Sequence, residues 1–222
     1  MWAWPVVDGE ERVLAQRLDQ PIDLHHHPTR SLLFMVGQGT DNVLVFNSAT
    51  RDPMESPVAE IAVGPGPKAI ALSNDGETAF VLNAHDYTVG VIDLAPLMAV
   101  GVDATSGCGS DLPTLETPLA FSQSTSSSFG VDPLPESVQR GRRIFHNARN
   151  AHVNNGELFA CATCHVEGAE DSRTWLIPEG QRQTPALAVR LADTAPFNWQ
   201  GTEDELKNNM ARTIERMGGL GL

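Results

Sequence analysis

Two pairs of short apolar runs recur in the first part of the chain at a spacing of about 46 residues, and this constrains the fold more than anything else in the sequence. The first pair is Leu32–Val36 and Asn42–Phe46, split by Gly37-Gln38-Gly39-Thr40-Asp41. The second is Ala79–Leu82 and Thr88–Ile92, split by Asn83-Ala84-His85-Asp86-Tyr87. Superimposed, Phe34 falls on Phe80, Val36 on Leu82, Val43 on Val89 and Val45 on Val91. Runs of Val, Ile, Leu and Phe this short, bounded by Gly, Asn and Asp, are half-buried strands rather than helices.

A repeat of this length matches one blade of four antiparallel strands. Between the copies, Ile61–Gly76 contains Pro65 and Pro67, which keep strands apart, and Asp75-Gly76, a hairpin turn. Asp75-Gly76, Val81-Leu82-Asn83 and Thr88-Val89-Gly90-Val91-Ile92-Asp93 together resemble the surface-layer or lactonase-like (YVTN-type) β-propeller repeat, over roughly Leu24 to Leu97. That resemblance implies about two blades and no particular activity. Two blades leave open strand edges, so further blades are expected before Met1 or from a partner.

Three regions follow: a propeller fragment over 1–100, a linker over 101–135 and a helical domain over 136–222. Ser122-Gln123-Ser124-Thr125-Ser126-Ser127-Ser128 has no apolar period and is expected to contribute no core. Glu136–Asn147 has helical spacing, a second helical stretch is expected around Cys161, and a third over about Glu203–Arg216. Thr202-Glu203-Asp204-Glu205 reads as a capping box for the third. The expected fold class is therefore multidomain, with incomplete antiparallel β-propeller blades followed by an all-α cytochrome c-type domain lacking its last helix.

The chemistry sits in Cys161-Ala162-Thr163-Cys164-His165. Cys-x-x-Cys-His is the attachment signature of c-type haem. Cysteines three apart on a helical turn share a face, so both sulfurs can bond the porphyrin vinyl carbons, and the adjoining His165 can take the iron. Zinc would need further ligands at matching spacing, and a dithiol redox pair a thioredoxin-like βαβ setting; the sequence offers neither. Cys108 stands apart and reads as a free thiol in a loop.

The flanks add Gly141-Arg142-Arg143-Ile144-Phe145, Phe159-Ala160 before the cysteines, Gln181–Leu187, and Phe197-Asn198-Trp199-Gln200-Gly201. In this order they resemble the amino-terminal haem domain of bacterial di-haem cytochrome c peroxidases and their MauG-like relatives. The resemblance implies Arg182 near a haem propionate and Trp199 at the haem edge, with a structural arginine and a core tryptophan as the alternatives. That family carries two haems and a distal histidine; this chain has one Cys-x-x-Cys-His and no histidine in 170–183.

Met217 is expected as the sixth iron ligand, with Met210, His146, His152 or an open site as alternatives; Met210, inside a helix, reads as core. His25-His26-His27 are adjacent on a strand entering a turn, where alternation prevents all three from converging on one ion. A formal charge of −13 argues against nucleic acid or an anionic membrane as partner and is compatible with a basic redox protein. The expected function is electron transfer through one covalent haem c, with the propeller as a docking or substrate module. A peroxidase- or MauG-like oxidoreductase and a propeller scaffold are the competing readings. Such haem is attached outside the cytoplasm, so a periplasmic or extracellular location is expected, with a signal sequence lost by truncation.

Overall fold

The computed structural model describes residues 17–49, 57–99, 119–155, 159–177, 180–188, 191 and 193–222. Cys108 lies outside them. Two units separate, Met1–Gln139 and Arg140–Leu222, with the boundary inside a helix.

The first unit is two antiparallel meanders. One sheet has the order β1 (Pro21–His26), β2 (Leu32–Gly37), β3 (Asn42–Asn47), β4 (Pro57–Ala62). The other has β5 (Pro67–Leu72), β6 (Thr78–Asn83), β7 (Thr88–Asp93) and β8 (Gln123–Thr125). A short helix, α1 (Ala95–Ala99), follows β7.

The first three strands of each sheet obey one register. Phe34 faces Val45 and Val36 faces Val43; 46 residues on, Phe80 faces Val91 and Leu82 faces Val89. Both copies also carry an irregularity at the start of their first strand, at Pro21/Asp23 and Pro67/Ala69. A proline has no N–H for the ladder, so each copy slips at its proline.

The core lies between the sheets. Phe34, Val36, Val43 and Val45 of the first sheet and Ile70, Ala79, Val81 and Ile92 of the second are buried in one cluster. Three polar contacts bind the sheets as well. The Ile70 amide donates to Asp23 Oδ2 at 2.8 Å and the Gly66 amide to Asp41 Oδ1 at 2.8 Å. His27, fully buried, meets the Gly76 carbonyl at 3.1 Å through Nε2. Its Nδ1 lies 3.2 and 3.1 Å from the amides of Thr29 and Arg30, so Nδ1 is the acceptor and Nε2 carries the proton. His27 is thus a neutral structural link, and burial holds its pKa below the ordinary value.

The serine-rich run corrects the linker expectation. Gln123–Thr125 pairs with β7, Val91 opposite Ser124 and Ile92 opposite Gln123, and all three side chains are exposed. An edge strand needs main-chain donors and acceptors, not apolar side chains, so polarity did not exclude it.

The second unit overturns the expected all-α domain. Its helices are the latter part of α2 (Glu136–His146), a single turn α3 (Cys161–Cys164) and α4 (Leu206–Arg216). Between α3 and α4 lies an antiparallel hairpin, β9 (Thr174–Ile177) and β10 (Gly180–Gln183). The helical stretch expected around the cysteines stops after one turn, where His165 leaves helical backbone at φ −102° and ψ 65°; Glu167 and Gly168 beyond it take left-handed backbone, φ 52° and 76°. The expected capping box is also absent. Glu205 is the N-cap of α4 and makes no side-chain cap; Glu203 is buried, pairing its backbone with Phe197 and its carboxylate with Arg212.

Among the described residues of this unit, the buried apolar side chains are Ala148, Val153, Ala160, Ala162 and Ile214. Helix α2 buries none of its side chains, and α4 buries Ile214 alone. Asn154 holds the unit's loops instead: its side-chain amide donates to the carbonyls of Ala148 and Phe159 at 2.9 and 2.8 Å.

Candidate functional site

The cysteine turn is defined at its start by Thr163, whose Oγ1 accepts the Ala160 amide at 2.8 Å. Its end is closed by the His165 amide on the Cys161 carbonyl, 2.8 Å. Cys161 and Cys164 therefore stand at the two ends of one turn, and neither is in a disulfide. Burial pushes the Cys161 thiol above its ordinary pKa. A dithiol redox pair needs the opposite shift, since the thiolate is the reactive form.

Beyond His165 the chain turns through Val166–Gly168 and returns by way of the β9–β10 hairpin. The return segment docks on the turn: the amides of Leu187 and Ala188 both donate to the Gly168 carbonyl at 2.7 Å. A side chain at Gly168 would face the left-handed φ of 76°, so glycine suits this corner. The docking sets the Pro185 carbonyl 2.9 Å from His165 Nδ1. A carbonyl only accepts, so Nδ1 carries the hydrogen and Nε2 of the neutral ring keeps its lone pair. This is the arrangement that metal-binding imidazoles use: one nitrogen anchored on a backbone oxygen, the other with its lone pair. Burial, the largest influence on His165, lowers its pKa and favours that neutral form, against opposing contributions from the Pro185 carbonyl, the Asp171 charge and the Ala169 backbone.

Behind the imidazole stands a polar cluster that sequence reasoning missed. The Trp175 indole N–H is shared between Asp171 Oδ2 at 2.7 Å and Thr184 Oγ1 at 3.1 Å. Burial acts to raise the Asp171 pKa, but hydrogen bonds from the Arg173 amide, Trp175 and Thr184 outweigh it and hold the carboxyl low. No motif marks these residues. The available signal was Trp175 itself, an aromatic in a run otherwise full of polar groups.

The remaining expected residues are placed as follows. Arg182, on β10 opposite Trp175, donates to the Gln181 carbonyl at 2.8 Å. Trp199 is 55% exposed, in a turn between the paired Phe197 and Glu203, which corrects the core alternative. Met217 caps the C-terminus of α4 and is half-buried. Its carbonyl accepts the Asn155 amide at 3.2 Å, which stitches the end of α4 to the segment leading into the cysteines. Gly219 is required beside it, because a Cβ there would lie 2.6 Å from backbone atoms of His152 and Val153. Met210, Ile214 and Met217 recur at helical spacing and share one face of α4. Met210 is 49% exposed, so the expectation that it packs in a core does not hold.

His152 Nδ1 donates to the Gly221 carbonyl at 2.8 Å, and the His146 ring stands edge-on to Phe145. Among the described residues, no three His, Cys, Asp or Glu side chains converge to hold a metal ion, so Cys161, Cys164 and His165 do not form a zinc-type cluster. Likewise no described helix is long and apolar enough to cross a membrane.

Fold and site define a β-rich chain that ends in a unit presenting two thiols and an anchored imidazole. No protein-family model matches it. No curated protein sequence matches it either. Among solved structures, it is similar to the hydrazine synthase of Kuenenia stuttgartiensis, at 23% identity and a TM-score of 0.32, over 42% of this chain and 24% of that one. It is also similar to a functionally unknown protein from Desulfotomaculum acetoxidans DSM 771, at 17% identity and a TM-score of 0.36. That match covers 64% of this chain and 35% of the other. The chain thus spans about a quarter and about a third of the lengths of these two proteins. Likenesses this loose assign no function.

Proposed function

We propose that the chain is an extracytoplasmic electron-transfer protein carrying one c-type haem, tethered through Cys161 and Cys164 with His165 Nε2 as the proximal ligand. The observation that carries this reading is the His165 ring, anchored by Nδ1 on Pro185 so that Nε2 keeps its lone pair, directly after two thiols on one helical turn.

The residues fit the group in a second respect. The described residues of this unit, with five small or medium buried apolar side chains among them, offer little core to offset the entropy of ordering them. Small domains of this kind are stabilised by a covalent or metal-centred staple. A porphyrin is both covalent and broadly apolar, and the half-buried Ile144 and Phe145 and the Met210–Met217 stripe supply apolar surface for it.

When bound, the haem supplies a one-electron couple at its iron. The protein's part would be to hold the imidazole in one tautomer, and Met217, with Met210 on the same stripe, would be the further residue to hold the group. Arg182 carries the positive charge suited to a propionate, and Trp199 the exposed aromatic suited to a haem edge. The two sheets, with their shared register, are consecutive blades of a propeller-type repeat that docks a redox partner protein.

The test is expression with a periplasmic signal and a c-haem maturation system, followed by haem staining on a denaturing gel. The wild type is expected to stain, and Cys161→Ala with Cys164→Ala to lose the stain completely. His165→Ala is expected to keep bound haem but lose the low-spin spectrum. Unstained wild-type protein, or stoichiometric zinc in its place, overturns the reading.

A further inference from the structure

The Pro185 carbonyl that fixes His165 belongs to a residue with no amide hydrogen of its own, so its position must be set by its neighbours. On the C-terminal side, Leu187 and Ala188 are held on the Gly168 carbonyl at 2.7 Å each. On the N-terminal side the only side chain adjoining Pro185 is Thr184, which is buried. Its hydroxyl lies 3.1 Å from the Trp175 indole nitrogen, and that indole is itself fastened to Asp171 Oδ2 at 2.7 Å. Asp171 is fixed in turn by the Arg173 amide, at 3.0 Å to Oδ1. The contacts therefore run from Asp171 to Thr184 both directly, through the Thr184 hydroxyl, and by way of the Trp175 indole, then from Thr184 to Pro185 and the imidazole.

We propose that Trp175 is a positioning residue for His165: through Thr184 it holds the Pro185 carbonyl against Nδ1, and so keeps Nε2 as the nitrogen offered to a ligand. The cross-strand setting supports this. Trp175 sits on β9 opposite Arg182 of β10, and Thr184 follows directly where β10 ends. The hairpin's register thus decides that the indole meets the Thr184 hydroxyl rather than solvent. A one-residue slip would turn Trp175 to the other face and release the anchor. The proposal deepens the haem reading for its functional consequence, since an imidazole anchored at Nδ1 is a more basic ligand at Nε2. The placement of the ring itself stands independently of that reading.

The experiment uses the full chain labelled with nitrogen-15 at histidine. Long-range proton–nitrogen spectra give the tautomer of each ring, and His165→Gln identifies the His165 signals. Haem staining is run on the same preparation, and a stained sample is measured in the ferrous state. Wild type is expected to show His165 as the Nδ1–H tautomer alone. Trp175→Phe removes the indole N–H and Thr184→Val the hydroxyl. Each is expected to speed exchange of the Nδ1 hydrogen roughly tenfold, the scale of one lost hydrogen bond, and in unstained protein to populate both tautomers. Thr184→Ser retains the hydroxyl and is expected to restore the wild-type spectrum, which a packing effect alone does not predict. In stained protein the two disrupting variants are further expected to raise the midpoint potential, because a less basic imidazole favours the ferrous iron.

If Trp175→Phe or Thr184→Val folds and leaves exchange of the Nδ1 hydrogen unchanged, and in unstained protein the tautomer as well, the proposal is overturned whatever the gel shows. Unstained protein with the expected tautomer shifts overturns the haem reading and supports this one.

Discussion

His27 illustrates how a single residue can look functional in sequence and prove structural. Among the three adjacent histidines it alone is fully buried, and both ring nitrogens are spent on backbone partners. Its folded pKa lies below the ordinary 6.5. The unfolded chain therefore takes up a proton that the folded unit refuses. The stability this contributes is complete above pH 6.5 and is lost as the pH falls from there through the depressed folded value. Thermal unfolding across that range is expected to show the loss, and His27→Ala to abolish this component of it. The same substitution leaves the amides of Thr29 and Arg30 and the Gly76 carbonyl without their partner, at about 1–3 kcal/mol for each buried group. At this scale the sequence was partly legible. Alternation along a strand ruled out convergence of three histidines, but nothing local showed that Gly76, far along the chain, would be the partner of one of them.

Elements were legible where side chains decide and illegible where the backbone does. The four strands β2, β3, β6 and β7 announce themselves through paired apolar residues, and the observed cross-strand partners are those that the superposition of the two copies implies. β8 could not be read in this way. Its pairing comes from the main chain and is continued just past its end by Ser126, whose amide donates to the Val89 carbonyl and whose Oγ accepts the Val89 amide, both at 2.9 Å. Ser126→Pro removes that donor and acceptor together. It is expected to peel off the strand, seen as faster hydrogen exchange at Val89 while Val81 and the core between the sheets stay protected. The helix around the cysteines failed as an expectation for a related reason. The spacing of Cys161 and Cys164 asks for one turn only, and the non-helical backbone of His165 ends it there.

At the level of the whole chain, the two units are built on different principles. The first fills the space between its sheets with Phe34, Val36, Val45 and their neighbours; the second relies on hydrogen-bonded loops around Asn154 and the Thr184–Ala188 segment. The Cys-x-x-Cys-His motif was plain in the sequence because its spacing is its chemistry. The support behind it was hidden because Asp171, Trp175 and Thr184 become neighbours only through the hairpin register.

The common register of the sheets bears on how such a chain can grow. Only Val63–Gly66 separates β4 from β5, and pairing resumes in step after it. Insertion of a second copy of segment 21–66 after Gly66 is therefore expected to yield soluble, folded protein. Deleting one residue from β6 is expected to yield aggregate, since every later side chain on that strand would change faces. Both outcomes can be read from the soluble fraction and its circular dichroism. A gene for this unit can lengthen in whole steps of its own period, while smaller indels within the strands meet immediate selection.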